Sequence, residues 1–389
     1  MKKGTDCGDV QQQAADVRTE HRILFTDSRD LRSVQDNSVD LVVTSPPYPM
    51  IEMWDSTFSG LNPFIADTLD ANDGPSAFEL MHRELDKVWE HCHRILRPGS
   101  IACINIGDAV RTIGGDFRIY SNHARVLSAM STIGFHALPD ILWRKQTNAP
   151  NKFMGSGMLP AGAYVTYEHE YILIFRKGSK RQFATEEDKA RRRASSYFWE
   201  ERNVWFSDVW TDLKGANQEL CDQSARTRSG AYPFELAFRL ICMYSLYGDL
   251  VFDPFLGTGT TTAAAIAARR NSLGAEYHRK LYPAISESVS KALSIGAARA
   301  RARLSSHRTF VRERVETGYK FKHRNSVHQF PVMTSQEVEL SLYLPDGIKR
   351  KSDTYFEVTY RGPEVRDVIG EDQMSLFEMP PNKKRGALN

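Results

Sequence analysis

Val39-Asp40-Leu41-Val42-Val43-Thr44-Ser45-Pro46-Pro47-Tyr48 joins a short apolar run to a rigid polar turn. β-Branched residues dominate Val39 to Thr44, and a run this short predicts a buried strand of a parallel sheet. Pro46 and Pro47 then stop it. Neither has a backbone N–H, so the carbonyls of the turn are not drawn into a ladder. A hydroxyl, free carbonyls and an aromatic ring are thereby presented at the carboxyl end of a strand, where open α/β sheets bind ligands. The set suits holding a flat heterocycle by an amino group and stacking on its face. Taken alone, an ordinary strand-terminating Pro-Pro turn would read the same way.

A second segment points in the same direction. Gly248 to Thr262 reads GDLVFDPFLGTGTTT: a strand (Leu250 to Asp253), a glycine turn (Gly257-Thr258-Gly259) and an alanine-rich helix from about Thr260 to Ala268. Glycines allow tight turning and close backbone approach, and a helix N-terminus offers N–H groups to an anionic ligand. A further strand, Ser272 to Ala275, ends at Glu276, placed to accept hydrogen bonds from ribose hydroxyls. A strand–GxG–helix–strand–acid series is far more specific than a lone GxG. A nicotinamide dinucleotide site ranks well behind. It would want Gly or Ala at the position of Thr262, and Asp253-Pro254-Phe255 is foreign to its fingerprint. Met154 to Tyr164 is a glycine-rich loop without the Lys-Ser/Thr of a phosphate cradle.

Together, TSPPY and FDPFLGTGTT resemble the catalytic and cofactor motifs of amino-group DNA methyltransferases. The catalytic motif comes first and the cofactor motif some two hundred residues later, the circularly permuted order of the β class. Ser45, where adenine enzymes usually carry Asp, is the pattern of N4-cytosine enzymes. The resemblance covers roughly Arg22 to Ala300. Within it, Met81, Leu85, Val88, Cys92 and Leu96 read as a helix ended by Pro98-Gly99, followed by a strand from Ser100 to Ile106. Glu168 to Phe175 resembles a late strand of the same sheet, and Tyr232 to Leu236 the motif upstream of the cofactor loop.

The resemblance implies an α/β fold. The expected core is a Rossmann-like S-adenosylmethionine-dependent methyltransferase sheet, circularly permuted, with an inserted target-recognition region and a small C-terminal α+β addition. Expected units are a flexible tail (1–20), a catalytic half (21–178), a target-recognition region (179–230), an S-adenosylmethionine half (231–300) and a C-terminal addition (301–389). Ser45, Pro46, Pro47 and Tyr48 are the expected catalytic residues. Asp27, Asp253, Pro254, Phe255, Gly257, Gly259 and Glu276 are the expected cofactor residues, Asp27 on the adenine and Glu276 on the ribose. Asp30 and Asp36 lie close enough in sequence to compete with Asp27. Met50, Trp54 and Asp55 follow the catalytic motif and are candidates for the pocket wall.

Composition bounds the rest. A net charge of +3 does not by itself announce a nucleic-acid partner, so local distribution matters more. Trp143-Arg144-Lys145 leads into a loop with Asn148, Asn151 and Lys152. A basic stretch, Arg176 to Arg193, ends in Arg191-Arg192-Arg193. Tyr197, Phe198, Trp199, Trp205, Phe206 and Trp210 follow it. Lys and Arg contact phosphates and aromatics wedge or stack, so Arg144, Lys145, Lys152, Arg191, Arg192 and Arg193 are candidate contacts to double-stranded DNA. Interleaved Glu186-Glu187-Asp188 also fit a merely solvated helix face. Five scattered cysteines without CxxC spacing suit a reducing cytoplasm; the resemblance implies that it is a bacterial or archaeal one, with the protein associated with the nucleoid. No apolar run is long enough for a membrane span. No metal is expected, since His91 and His93 point to different helix faces. Val338 to Leu344 and Tyr355 to Tyr360 alternate as strands, and Glu371 to Asn389 reads as a flexible tail.

Three functions are open at this point, in order. The first is an N4-cytosine DNA methyltransferase partnered with a restriction endonuclease encoded alongside, as monomer or homodimer. The second is an N6-adenine enzyme, because Ser45 polarises either amino group. The third is a DNA-binding protein on the same fold without turnover. Carbon-5 methylation of cytosine is excluded, because its family pattern has Pro followed by Cys and this chain contains no Pro-Cys pair.

Overall fold

The computed structural model describes residues 17–145, 154–215 and 232–362. In chain order the strands are β1 (Arg18–Phe25), β2 (Val39–Thr44), β3 (Leu96–Ile106), β4 (Ala109–Ile113), β5 (Asp116–Tyr120), β6 (Phe135–Arg144), β7 (Met154–Gly155) and β8 (Ala163–Tyr164). They continue as β9 (His169–Lys177), β10 (Val209–Trp210), β11 (Leu250–Asp253), β12 (Asn271–Glu276), β13 (His323–Arg324), β14 (Pro331–Val332), β15 (Leu344–Ser352) and β16 (Tyr355–Arg361). Ten of them form one sheet in the order β10-β6-β9-β3-β2-β11-β12-β1-β16-β15.

The middle five, β3-β2-β11-β12-β1, run parallel. Antiparallel neighbours flank them, β9 beside β3 and β16 beside β1. After β2 the chain moves to β3 on one side; after β11 it moves to β12 on the other. The winding direction therefore reverses between β2 and β11. A crevice opens at their carboxyl ends for that reason, because neither connection covers it.

β2 is buried along its whole length, as an unalternating β-branched run requires. Val42, Ala102 and Ile104 pack on one face against the Gly74–Ile95 helix. Leu41, Val43, Ile101 and Cys103 pack on the other against the Phe234–Tyr244 helix and the Thr260–Ala267 helix. The Gly74–Ile95 helix is started by Asp73, whose side chain accepts the Ser76 N–H at 3.1 Å, with Pro75 in the first turn. It buries Met81, Leu85, Val88 and Cys92 on one stripe, as the spacing predicts. It ends at Ile95 rather than at Pro98-Gly99, because Leu96 already pairs with Val39 in the sheet.

Three other boundaries differ from expectation. β1 begins at Arg18, inside the expected tail, where β16 pairs with it (Arg18 opposite Thr359). The Tyr282–Glu316 helix runs through residue 300 unbroken: its Ala- and Arg-rich middle contains no proline, and Gly296 is buried where a Cβ would meet Ala267. The β15–β16 hairpin then extends the main sheet and packs Phe356, Val358 and Tyr360 with Ile23 and Ile266, while Phe330, Val332, Leu340 and Leu342 form a smaller cluster with Phe198 and Leu304. Val338 to Leu344 is not a strand before Leu344. Side chains take its carbonyls: Asn325 Nδ2 donates to Leu340 O at 2.9 Å and Tyr247 OH to Ser341 O at 2.6 Å. The expected tail, Glu371 to Asn389, lies outside the described residues. Among the described residues no helix is long and apolar enough to cross a membrane.

Candidate active site

Register brings the two motifs to one edge. Val42 of β2 stands opposite Phe252 of β11, and Phe25 of β1 opposite Glu276 of β12. The chain beyond Thr44, Asp253 and Glu276 therefore emerges side by side. It encloses a cavity of about 420 Å³, within the range of small-molecule sites. Ser45, Pro46, Pro47, Tyr48 and Trp54 line one end. Asp27, Pro254, Phe255, Gly257 and Glu276 line the other.

Asp253 fastens the two ends together. Its Oδ1 accepts from Thr44 Oγ1 at 2.6 Å and from the Phe255 N–H at 3.0 Å. Its Oδ2 accepts from Tyr232 OH at 3.3 Å and from Thr261 Oγ1. Burial pushes its carboxyl above the usual range, and the hydroxyls of Thr261 and Thr44 oppose that. Asp253→Ala strands several buried donors at once. The expected cost is about 3 kcal/mol of stability, read as a lower urea midpoint at unchanged slope; an unchanged midpoint would contradict the fastening role.

At the cofactor end Glu276 is 7 % exposed. Its Oε2 accepts the Gly257 N–H at 2.9 Å and its Oε1 the His278 N–H at 2.7 Å. Burial raises its pKa while these two amides hold the charged form. Each oxygen keeps a lone pair for a further donor. Gly257 adopts φ +56°, left-handed backbone that suits glycine. Gly259 caps the Thr260–Ala267 helix at φ +88° but is absent from the cavity wall; a Cβ there would meet Ile285 Cγ2 at 3.4 Å. Asp27 lines the cavity and is gripped by Arg29, with Nη2 to Oδ2 at 2.7 Å. Burial raises the Asp27 carboxyl, but the Arg29 hydrogen bonds outweigh it and leave it below the usual range. Asp30 and Asp36 instead pair with Arg32 and Arg94, away from the cavity wall.

At the other end a polar network surrounds Tyr48. Its hydroxyl donates to Glu170 Oε2 at 2.9 Å, receives Asn105 Nδ2 at 2.8 Å and lies 3.1 Å from Ser45 Oγ. Burial, reinforced by the Glu170 charge, raises the phenol well above its ordinary pKa. Lys145 Nζ donates to Glu170 Oε1 at 2.9 Å. Antiparallel pairing explains the meeting: the amino end of β9 lies at the carboxyl ends of β3 and β6, with Ile106 opposite Tyr171 and Trp143 opposite Glu170.

The DNA methylase family profile matches residues 39–287, from β2 to the start of the last long helix. The chain belongs to this family. Type II methyltransferase M.MthZI of Methanothermobacter thermautotrophicus is 50% identical over 346 residues, covering 89% of this chain and 96% of that protein. M.MjaI of Methanocaldococcus jannaschii is 48% identical over 285 residues, covering 70% of this chain and 92% of its own length. A candidate DNA modification methylase from Thermus thermophilus, solved with S-adenosyl-L-methionine, is similar in structure. The TM-score is 0.53 at 31% identity over 70% of this chain and 95% of that one.

Not every expected residue of the methylase reaches the cavity. Met50 is 1% exposed in the core, and Asp55 pairs with Arg111 Nη2 at 2.6 Å; of the three wall candidates only Trp54 lines it. Lys145 lines the cavity, and neighbouring Arg144 is held by Glu168 at 3.2 Å. Lys152, Asn148 and Asn151 lie outside the described residues. Arg191, Arg192 and Arg193 are not on this edge. Arg191 pairs with Asp188 and with Asp249, which precedes β11 and so marks the opposite end of the sheet. Arg192 lies over Phe183 at 4.5 Å and Arg193 pairs with Glu339 at 2.9 Å. Consecutive helical residues point about 100° apart, so the triplet makes three separate contacts rather than one patch. Phe198, Trp205 and Trp210 are fully buried, which makes them core rather than base-stacking side chains. Glu170, Asn105, Arg29 and Glu84 were not singled out from the sequence. Arg29 Nη1 donates to Glu84 Oε2 at 2.6 Å beside Asp27, and all three line the cavity.

Proposed function

We propose that this methylase transfers the methyl group of S-adenosylmethionine to the exocyclic N4 amino group of cytosine in double-stranded DNA. The observation that carries the reading is the single cavity shared by Ser45 at one end and by Gly257 and Glu276 at the other. The order of β2 before β11 fits the circularly permuted β class, and the similarity to Type II methyltransferases supports a role beside a restriction endonuclease. Its place of action is the cytoplasm, on nucleoid DNA.

The cavity fits the cofactor. Glu276 would offer its remaining lone pairs to ribose hydroxyls and Asp27 would hold the adenine, with Phe255 and Gly257 as the adjoining wall. Bound there, S-adenosylmethionine supplies an electrophilic sulfonium methyl. The protein's part is to prepare the amino group. A cytosine amine is a poor nucleophile because its lone pair is delocalised into the ring. Ser45 Oγ and the Pro46 carbonyl accept its hydrogens, draw it towards tetrahedral geometry and localise that lone pair. Serine is too weak a base to remove a proton beforehand, so positioning and polarisation dominate and the proton leaves after transfer. Tyr48 stacks on the base, which must leave the duplex at a cost of roughly a few kcal/mol. Lys145 and Arg144, at the end of β6 beside the cavity, are the DNA contacts this reading retains.

The test is to incubate the purified protein with S-adenosylmethionine and unmethylated genomic DNA, hydrolyse to nucleosides and weigh them. N4-methylcytosine is the expected product. N6-methyladenine would overturn the substrate while keeping the fold and cofactor end; no methylated base would favour a non-catalytic DNA-binding protein.

A further inference from the structure

Hydrogen-bond polarity at Ser45 is set from a distance. Glu170 is an acceptor on both oxygens: Oε1 takes Lys145 Nζ at 2.9 Å, and Oε2 takes Asn105 Nδ2 at 2.7 Å and the Tyr48 hydroxyl at 2.9 Å. Tyr48 has one proton, and Glu170 takes it. The phenol oxygen can then only accept, from Asn105 Nδ2 at 2.8 Å and from Ser45 Oγ at 3.1 Å. Asn105 is 2% exposed, and its orientation is fixed by the same logic. Turning its amide over would set a carbonyl oxygen against the Glu170 carboxylate. In the orientation found, Oδ1 is buried without a partner, so the whole hydrogen-bonding capacity used by this amide goes to the Tyr48–Glu170 pair. In the 3.1 Å contact Ser45 Oγ is therefore the donor to Tyr48, and its lone pairs remain for the cavity that Ser45 lines.

We propose that Glu170, acting through Tyr48, is a positioning residue that fixes Ser45 as a hydrogen-bond acceptor towards the reacting amino group. The proposal rests on the methyltransferase reading above. A serine free to rotate would spend part of its time donating a proton into the cavity, where it would compete for the nitrogen lone pair that has to attack. The Lys145 ion pair holds Glu170 from just past the end of β6, so a side chain expected to touch DNA also supports the chain of polarity.

The experiment compares Glu170→Ala, Glu170→Gln, Tyr48→Phe and the double variant Tyr48→Phe/Glu170→Ala in the full-length protein. S-adenosylmethionine affinity is measured by calorimetry and methylation of DNA by single turnover. Glu170→Ala and Tyr48→Phe are each expected to lower the single-turnover rate by about 10- to 100-fold with cofactor affinity intact. The double variant should be no worse than the worse single one, because both break one chain. Glu170→Gln keeps the shape but offers one acceptor oxygen to Lys145 Nζ and the phenol together, and with its NH2 turned to Tyr48 the polarity reverses, so it should lose a similar part of the rate. Near-normal turnover of Glu170→Ala, or additive losses in the double variant, would overturn the proposal. Should Glu170→Ala not fold, Tyr48→Phe carries the same comparison against Glu170→Gln. A neutron structure of the wild-type protein gives a second, turnover-independent readout. A deuteron on Ser45 directed at Tyr48 supports the proposal, and one directed into the cavity overturns it. Absence of any methylated base with the wild-type protein would instead count against the methyltransferase reading, leaving the deuteron to decide the polarity.

Discussion

Ser45→Ala is expected to lower the rate of methyl transfer by about 10²- to 10³-fold, the scale seen when one preorganised polar group at a reacting centre is removed. S-adenosylmethionine affinity should stay within about twofold, because Ser45 lies at the Tyr48 end of the cavity and Gly257 and Glu276 at the other. The change is also structurally mild. The hydrogen bond shown for Ser45 Oγ is the one with Tyr48 OH at 3.1 Å, so its loss costs about 1 kcal/mol at most. Tyr48 keeps Asn105 and Glu170 and should hold its ring in place. Single-turnover transfer of a radiolabelled methyl group, beside a cofactor titration, separates the two effects. A variant that turns over near the wild-type rate would sink the polarising role of Ser45. A variant that loses cofactor affinity in step with rate would place Ser45 in cofactor binding instead.

What could be read in the chain follows the range of the interactions involved. β2 and β11 match their expected limits, Val39–Thr44 and Leu250–Asp253, because a short β-branched run closed by prolines or glycines is a local signal. The place of Glu276 at the end of β12 was legible for the same reason: it closes a strand soon after a glycine turn. Glu170 was not. It sits inside a segment correctly read as a strand, yet nothing local says that β9 runs antiparallel to β3 and so carries its amino end to the cavity. Asn105 reads as one more residue of a buried strand until that pairing is known. Arg191 to Arg193 failed in the opposite way. A run of like charges looks like a patch in one dimension, while the helix fans it over three directions and Asp249 and Glu339 claim two of its members. Val338 to Leu344 alternates like a strand, but its carbonyls are taken by the side chains of Asn325 and Tyr247, which pattern alone does not register.

Gly257→Val should weaken S-adenosylmethionine binding by about 100-fold or more, through two independent effects. Left-handed backbone at φ +56° costs a residue with a Cβ about 1–2 kcal/mol, and β-branching makes the position worse. If the loop flattens to escape that strain, the Gly257 N–H leaves Glu276 Oε2, now 2.9 Å away, and the carboxylate loses one of the two amides that orient it. If the loop holds, the new side chain enters the cavity instead: a Cβ at Gly257 meets only Phe255 O, at 3.9 Å, and beyond it lies the cavity that the cofactor needs. Either way affinity falls, and about 2.7 kcal/mol corresponds to 100-fold. Gly259→Ala is the control. That glycine also has a positive φ, +88°, but its Cβ would press on Ile285 of the Tyr282–Glu316 helix rather than enter the cavity. It should lower the melting temperature and leave affinity nearly intact at temperatures where the protein is folded. Isothermal titration with S-adenosylmethionine beside a thermal melt tells the two apart. Unchanged affinity in Gly257→Val would show that the cofactor does not approach this turn, and equal affinity losses in both variants would mean that the loop acts through folding alone.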